Sequence, residues 1–182
     1  MKKALLYPLI ISALAIGLLY WTSLWVPVVL VFIPGVLISC VFYFRTAYKK
    51  TPEPKILLPL YLLALGIQFL HFAEEYITGF NVKIATLFGQ SPYPIDKWLL
   101  FNMIAYFVFI LGGIILYKRI KELMIIPLFF ILMGVVFNGV IHVVVSIYLG
   151  GYFPGLYTAI LYVLIAPVIL KHFWQETVVA AN

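Results

Sequence analysis

The chain has 182 residues, of which 65% are hydrophobic and 10% charged, and its net charge is +6. Soluble domains carry about 25% charged residues, so this composition cannot coat a water-facing surface and excludes a soluble globular protein. The basic residues stand in short bursts between apolar runs, the pattern of membrane orientation and not of nucleic-acid binding. A single cysteine, Cys40, excludes an intrachain disulfide and a cysteine-rich metal site.

A bilayer core about 30 Å thick takes about 20 apolar helical residues. Six segments qualify, at residues 4–21, 24–44, 56–78, 98–117, 123–149 and 156–174. Nothing alternates as a membrane β-strand would, so the fold class is all-α, a polytopic transmembrane bundle forming one domain over residues 1–182. The first segment follows Met1-Lys2-Lys3 like a signal peptide, but it runs into bulky Leu18-Leu19-Tyr20-Trp21 and reads as a retained span. In the second, Pro34-Gly35 should loosen the helix, as Pro167 should in the sixth. Pro59 and Pro127 are expected in first turns, where a missing amide costs little. The longest connection, residues 79–97, carries the turn-like Ser91-Pro92-Tyr93-Pro94, and Asp96 reads as the N-cap of the fourth span. Residues 150–155 form a second tight turn on the same side.

Placing both termini in the cytoplasm puts Lys2, Lys3, Arg45, Lys49, Lys50, Lys55, Lys118, Arg119, Lys121 and Lys171 inside and only Lys83 and Lys97 outside. Ten against two is a strong positive-inside bias. Tyr20, Trp21, Trp25, Trp98, Tyr148 and Tyr152 then fall at the outer interface, and Tyr43, Tyr48, Tyr117 and Trp174 at the inner one. The basic rim fits the anionic inner leaflet of a bacterial plasma membrane.

Against this apolar background the polar exceptions carry the information. The third span holds His71, Glu74 and Glu75, the fourth Asn102, and the fifth Asn138 and His142. An ionisable side chain at the bilayer centre costs about 2.5–3.5 kcal/mol on insertion scales, so such groups need partners inside the protein. At 100° per residue, Glu74 and Glu75 flank His71 on one helix face, and Asn138 and His142 share a face at i,i+4. His71 lies roughly 24 Å from Lys55 and Asn138 roughly 26 Å from Lys121, at about 1.5 Å per residue. Asn102 lies one turn from Lys97. All therefore fall in the outer third of the bilayer, which points to one polar pocket formed by spans three, four and five and facing outward. The plain structural alternative is a local His71–Glu75 ion pair, with the asparagines bonding neighbouring helices.

The stretch Gln68-Phe69-Leu70-His71-Phe72-Ala73-Glu74-Glu75-Tyr76 resembles the signature of a family of small membrane proteins named for its HXXEE motif. Asn138 and His142 match a later Asn and His of that pattern, and the resemblance covers roughly residues 56–175. It implies a membrane protein with a shared polar site and no established reaction.

Three chemistries fit these residues. His-x-x-Glu-Glu differs by one position from the inverted zincin pattern. His71, Glu75 and His142 would then be metal ligands and Glu74 the base, with Asn102 and Asn138 in outer contact with the metal or binding substrate. Two histidines and a carboxylate leave a position for water on zinc, and the same set suits non-haem iron. The substrate would be hydrophobic or amphiphilic, reached from the membrane lipids or the outer face. A metal-free His/Glu acid–base pocket, of the kind found in membrane isomerases, is the second. Proton-coupled transport or a structural partner role is the third.

Overall fold

The structure is a computed structural model that describes residues 2–22 and 28–178. The expected start of the second span, with Trp25, lies outside the described residues. Every regular element described is helical: α1 (Lys2–Thr22), α2 (Ile33–Arg45), α3 (Pro54–Thr78), α4 (Phe80–Leu87), α5 (Ile95–Lys118), α6 (Ile125–Phe129), α7 (Asn138–Tyr148) and α8 (Leu156–Thr177). A wide-turn π-helical stretch, Val28–Phe32, leads into α2, and another, Phe130–Phe137, joins α6 to α7. Both segments are apolar throughout, as backbone amides surrounded by lipid require intrahelical bonding.

Four stretches among the described residues are long and apolar enough to cross a membrane: Pro54–Thr78, Ile95–Lys118, Lys121–Tyr148 and Leu156–Thr177. Shorter apolar helices occupy Lys3–Leu18 and Ile33–Arg45. These features make the chain a helical membrane protein. The expected break at Pro34-Gly35 takes the form of a change from π- to α-helix. Pro59 departs from expectation: α3 starts earlier, with Pro54 in its first turn, so Pro59 lies inside the helix. Asp96 is not an N-cap either. Pro94 holds that position, and Asp96 sits exposed in the first turn of α5, where its charge still suits the helix dipole.

The bundle centres on α3, which packs against α5 on one side and α8 on the other, while α7 packs against α8. Tyr61, Leu65, Leu116, Phe130, Tyr162 and Ile169 fill the inner part of this core. Tyr43, expected at the inner interface, is wholly buried and donates to the carbonyls of Ala4 and Lys121, tying α2 to α1 and to the turn before α6. Trp98, expected as an outer belt residue, is also buried and packs against Phe72, Tyr76 and Phe80.

The end of α3 sets up the outer side. Gly79 takes φ +76° and caps α3 by donating to the Glu75 carbonyl, a left-handed conformation that glycine adopts without steric cost. The chain turns there directly into α4, a helix inside the segment read from sequence as a loop.

Candidate metal centre

His71 and Glu75 stand one turn apart on α3, and α7 brings His142 opposite them. Glu75 Oε1 lies 3.5 Å from His71 Nε2 and 3.3 Å from His142 Nε2. One ligand atom from each residue lies within 4.8 Å of the others, so the group could hold a metal ion. All three side chains are buried, with relative exposures of 0%, 6% and 2% for His71, Glu75 and His142. Among the described buried residues, they are the only histidines and carboxylates.

The partners of the two rings place a hydrogen on each Nδ1. His142 Nδ1 lies 2.5 Å from the Pro154 carbonyl, which can only accept, so Nδ1 carries the hydrogen. His71 Nδ1 lies 2.7 Å from Thr158 Oγ1. That hydroxyl has one proton, and its acceptors are Glu74 Oε2 at 2.6 Å and the Gly155 carbonyl at 3.3 Å. It must therefore accept from His71 Nδ1. Neutral rings with Nδ1–H expose a lone pair at Nε2. Both Nε2 atoms face the Glu75 carboxylate, and His71 Nε2 has no hydrogen-bond partner among the described residues. Charge-assisted N–H···O bonds run about 2.7–2.9 Å, shorter than either approach to Glu75. Ligands of a tetrahedral zinc lie about 3.3–3.4 Å apart when bond lengths are about 2.0–2.1 Å. The two Nε2–Oε1 edges, 3.3 and 3.5 Å, lie close to that spacing.

Glu74 takes a different place from the one expected for a base. It does not join the three-residue group. Its carboxylate accepts from Tyr157 N at 3.0 Å, Thr158 N at 2.9 Å, Thr158 Oγ1 at 2.6 Å and Tyr152 Oη at 2.8 Å. Those amides belong to the first turn of α8, so Glu74 caps that helix from across the bundle. Adjacent residues diverge by 100° on a helix: Glu75 faces α7, whereas Glu74 faces α8. Burial is the largest cause holding the Tyr152 phenol above its ordinary pKa, and the adjacent carboxylate adds to it. Tyr152 therefore remains a donor to Glu74.

Asn102 and Asn138 do not touch the histidines. Asn102 is buried and donates through Nδ2 to the Trp98 carbonyl at 2.9 Å. Asn138 is half-buried at the junction where the π-helical stretch ends and α7 begins. Such π segments concentrate at functional sites. Both asparagines line, with Glu75, a cavity of about 250 Å³ that extends toward α1 and α2. Toward the outer side His142 is covered instead of open: the Phe80 ring packs tilted 5.5 Å from His142, and Phe153 packs against Phe80 and His142.

Several contributors escape sequence reasoning. Thr158 and Pro154 orient the rings, yet neither stands out in an apolar chain. Gly155 has φ +89°, and a Cβ there would meet His142 Cε1 and Nδ1 at 2.6 Å and His71 Cε1 at 2.7 Å. Both rings thus lean on a site that only glycine leaves open. Its signal is the Gly150-Gly151-Tyr152-Phe153-Pro154-Gly155 stretch, legible as a turn but not as a wall of the centre.

A family model described as a protein of unknown function with HXXEE motif matches residues 62–170. That range contains the three-residue group, Glu74 and the α8 turn beside it. No curated protein and no solved structure matches the chain.

Proposed function

The chain belongs to the family of proteins of unknown function with an HXXEE motif, and from that premise we propose that His71, Glu75 and His142 hold a zinc or ferrous iron ion in a membrane-embedded enzyme. One observation carries this reading: two Nε2 atoms and a carboxylate oxygen converge on one point, with each Nδ1 turned outward to a carbonyl or a hydroxyl. With neutral rings and no cation, that convergence sets three electron-rich atoms against one another in a buried place. Histidine ligands commonly donate their other ring hydrogen to a carbonyl or carboxylate, which fixes the tautomer. The Thr158 hydroxyl extends this pattern from His71 to Glu74.

Two histidines and one carboxylate leave a position for water or substrate, and the bound ion would activate that water or polarise a carbonyl. This supports a metal-dependent hydrolase or oxidoreductase acting on a lipid-like or other amphiphilic substrate. Glu74, with four donors on its carboxylate, fits a positioning residue better than a proton acceptor. Asn102 and Asn138 lie where they would bind substrate beside Glu75. We place the chain in a bacterial plasma membrane with six spans, both termini on the basic side and membrane lipids as neighbours.

Metal content tests the reading. The protein is purified in mild detergent without added metal, alongside His71→Ala and His142→Ala. Near-stoichiometric zinc or iron in the wild type, lost in both folded variants, is expected. No metal in any sample, with the variants folded, overturns the metal centre and leaves a shared-proton His/Glu pocket.

A further inference from the structure

The cavity beside Glu75 changes in character along its length. Toward the inner side its walls are mostly apolar, with Ile11 and Ala15 of α1, Val36 of α2, Ala105 of α5 and Phe129 of α6, interrupted by the Ser12 and Ser39 hydroxyls. At the other end stand Glu75, Asn102 and Asn138. Along α5 the lining runs from Trp98 to Phe109, about 16 Å at 1.5 Å per residue. An elongated apolar slot with a hydrogen-bonding end matches a single alkyl chain carrying one polar head.

The polar end is also unsatisfied. Asn102 gives Nδ2 to Trp98, and its Oδ1 has no partner among the described residues. The Asn138 amide lines the cavity beside it. Neither amide is sealed from the cavity that both residues line, so each of these groups is open to a ligand. Between them they offer amide donors and carbonyl acceptors, which suits a head able both to give and to take hydrogen bonds.

Charge narrows the head further. No lysine or arginine lines the cavity, and its one ionisable carboxyl group is Glu75. A phosphate head would lie desolvated next to that carboxylate with no side-chain cation to offset it. We propose that this cavity binds a neutral single-chain amphiphile, with an alcohol, ester or amide head held by Asn102 and Asn138 and its chain directed inward. The inference deepens the enzyme reading by naming its substrate class, and rests on that reading for Glu75 being the reacting end.

The test uses the full chain in lipid nanodiscs, with radiolabelled monododecanoyl glycerol as the neutral probe and dodecyl phosphate as the anionic one. Wild type should retain the neutral probe stoichiometrically and bind dodecyl phosphate at least about tenfold more weakly. Ala105→Phe fills the slot and should lose the neutral probe while keeping the wild-type metal content. Asn138→Leu, similar in volume, should weaken binding of the neutral probe without filling the slot, and it serves if Ala105→Phe does not fold. His142→Ala should lose metal and keep the probe, so the two readings separate. Equal retention of the neutral probe by wild type and both cavity variants overturns the proposal, as does equal affinity for the two probes. Probe retained by a wild type that holds no metal would sustain the cavity and sink the metal centre.

Discussion

The inner and outer halves of the bundle bury polar groups in opposite ways. In the inner half, hydroxyls end on backbone carbonyls: Tyr43 on Ala4 and Lys121, Thr46 on Phe42, Tyr61 on Phe109 and Thr177 on Phe173. Each donor is satisfied: Tyr43 and Tyr61 join helices, and Thr46 and Thr177 bond back within their own. In the outer half, side chains bond one another in a chain from Glu74 through Thr158 to His71, and the chain ends on an Nε2 with no hydrogen-bond partner among the described residues. Buried polar groups are normally satisfied. Where a cluster is built to leave acceptors pointing at one another, a ligand is the natural completion. The contrast also bears on transport, since no buried histidine or carboxylate among the described residues continues the outer cluster toward the inner surface.

Removing a convergent atom should have the largest effect. Glu75→Gln keeps the volume but withdraws the only anionic member of the group, and metal content should fall to background in otherwise folded protein. Wild-type metal content in Glu75→Gln would break the contrast between the halves, because the outer cluster would then be as structural as the inner one. Gly155→Ala should come next. The added methyl group meets both imidazoles within 2.7 Å, and the φ of +89° is strained for alanine. We expect metal loss approaching that of the histidine variants, with a lowered melting temperature as well. Full metal retention would show that the rings do not depend on the 150–155 turn.

A smaller effect belongs to the residues that hold the rings. Thr158→Val removes the acceptor of His71 Nδ1–H and one donor to Glu74, and Glu74→Gln weakens the cap of α8. Outer partners of metal-ligating histidines typically contribute about 10–100-fold to affinity, and a helix cap contributes about 0.5–2 kcal/mol of stability. Competition with a chelator should therefore show both variants binding metal more weakly than wild type, yet still measurably. Complete loss in Glu74→Gln, with α8 intact by circular dichroism, would return Glu74 to the centre itself.

How far the sequence reveals this arrangement depends on the range of the interaction. His71 and Glu75 pair through helical spacing alone, and His142 joins them because depth along a span can be counted from its basic end. The separation of Glu74 from Glu75 was not legible in that way. Their 100° divergence is a local fact, but what each one meets is set by where α7 and α8 pack. Thr158 and Gly155 escape for the same reason, since their significance comes from contacts across more than 80 positions, as between His71 and Thr158. Helix α4 is hidden because eight residues between two turns carry too little periodicity. The π-helical Phe130–Phe137 is apolar on every side and so shows no stripe whose phase could reveal the wider turn.

The smallest expected effect is the control that sharpens the comparison. Tyr61 is fully buried in the inner half and donates to the Phe109 carbonyl at 2.7 Å. Its hydroxyl also lies against Gly112, where α5 has no side chain to obstruct it. Tyr61→Phe removes a donor while leaving the ring packed edge-on against Phe130. The carbonyl it leaves is part of the α5 helix, so little becomes unsatisfied. The cost should be about 1 kcal/mol, the net worth of an ordinary buried hydrogen bond. Thermal denaturation in detergent should show that modest loss, and metal content should match wild type. A Tyr61→Phe protein that folds and loses metal would mean that the two halves are coupled, and that satisfied hydroxyls in the inner core also set the geometry of the centre.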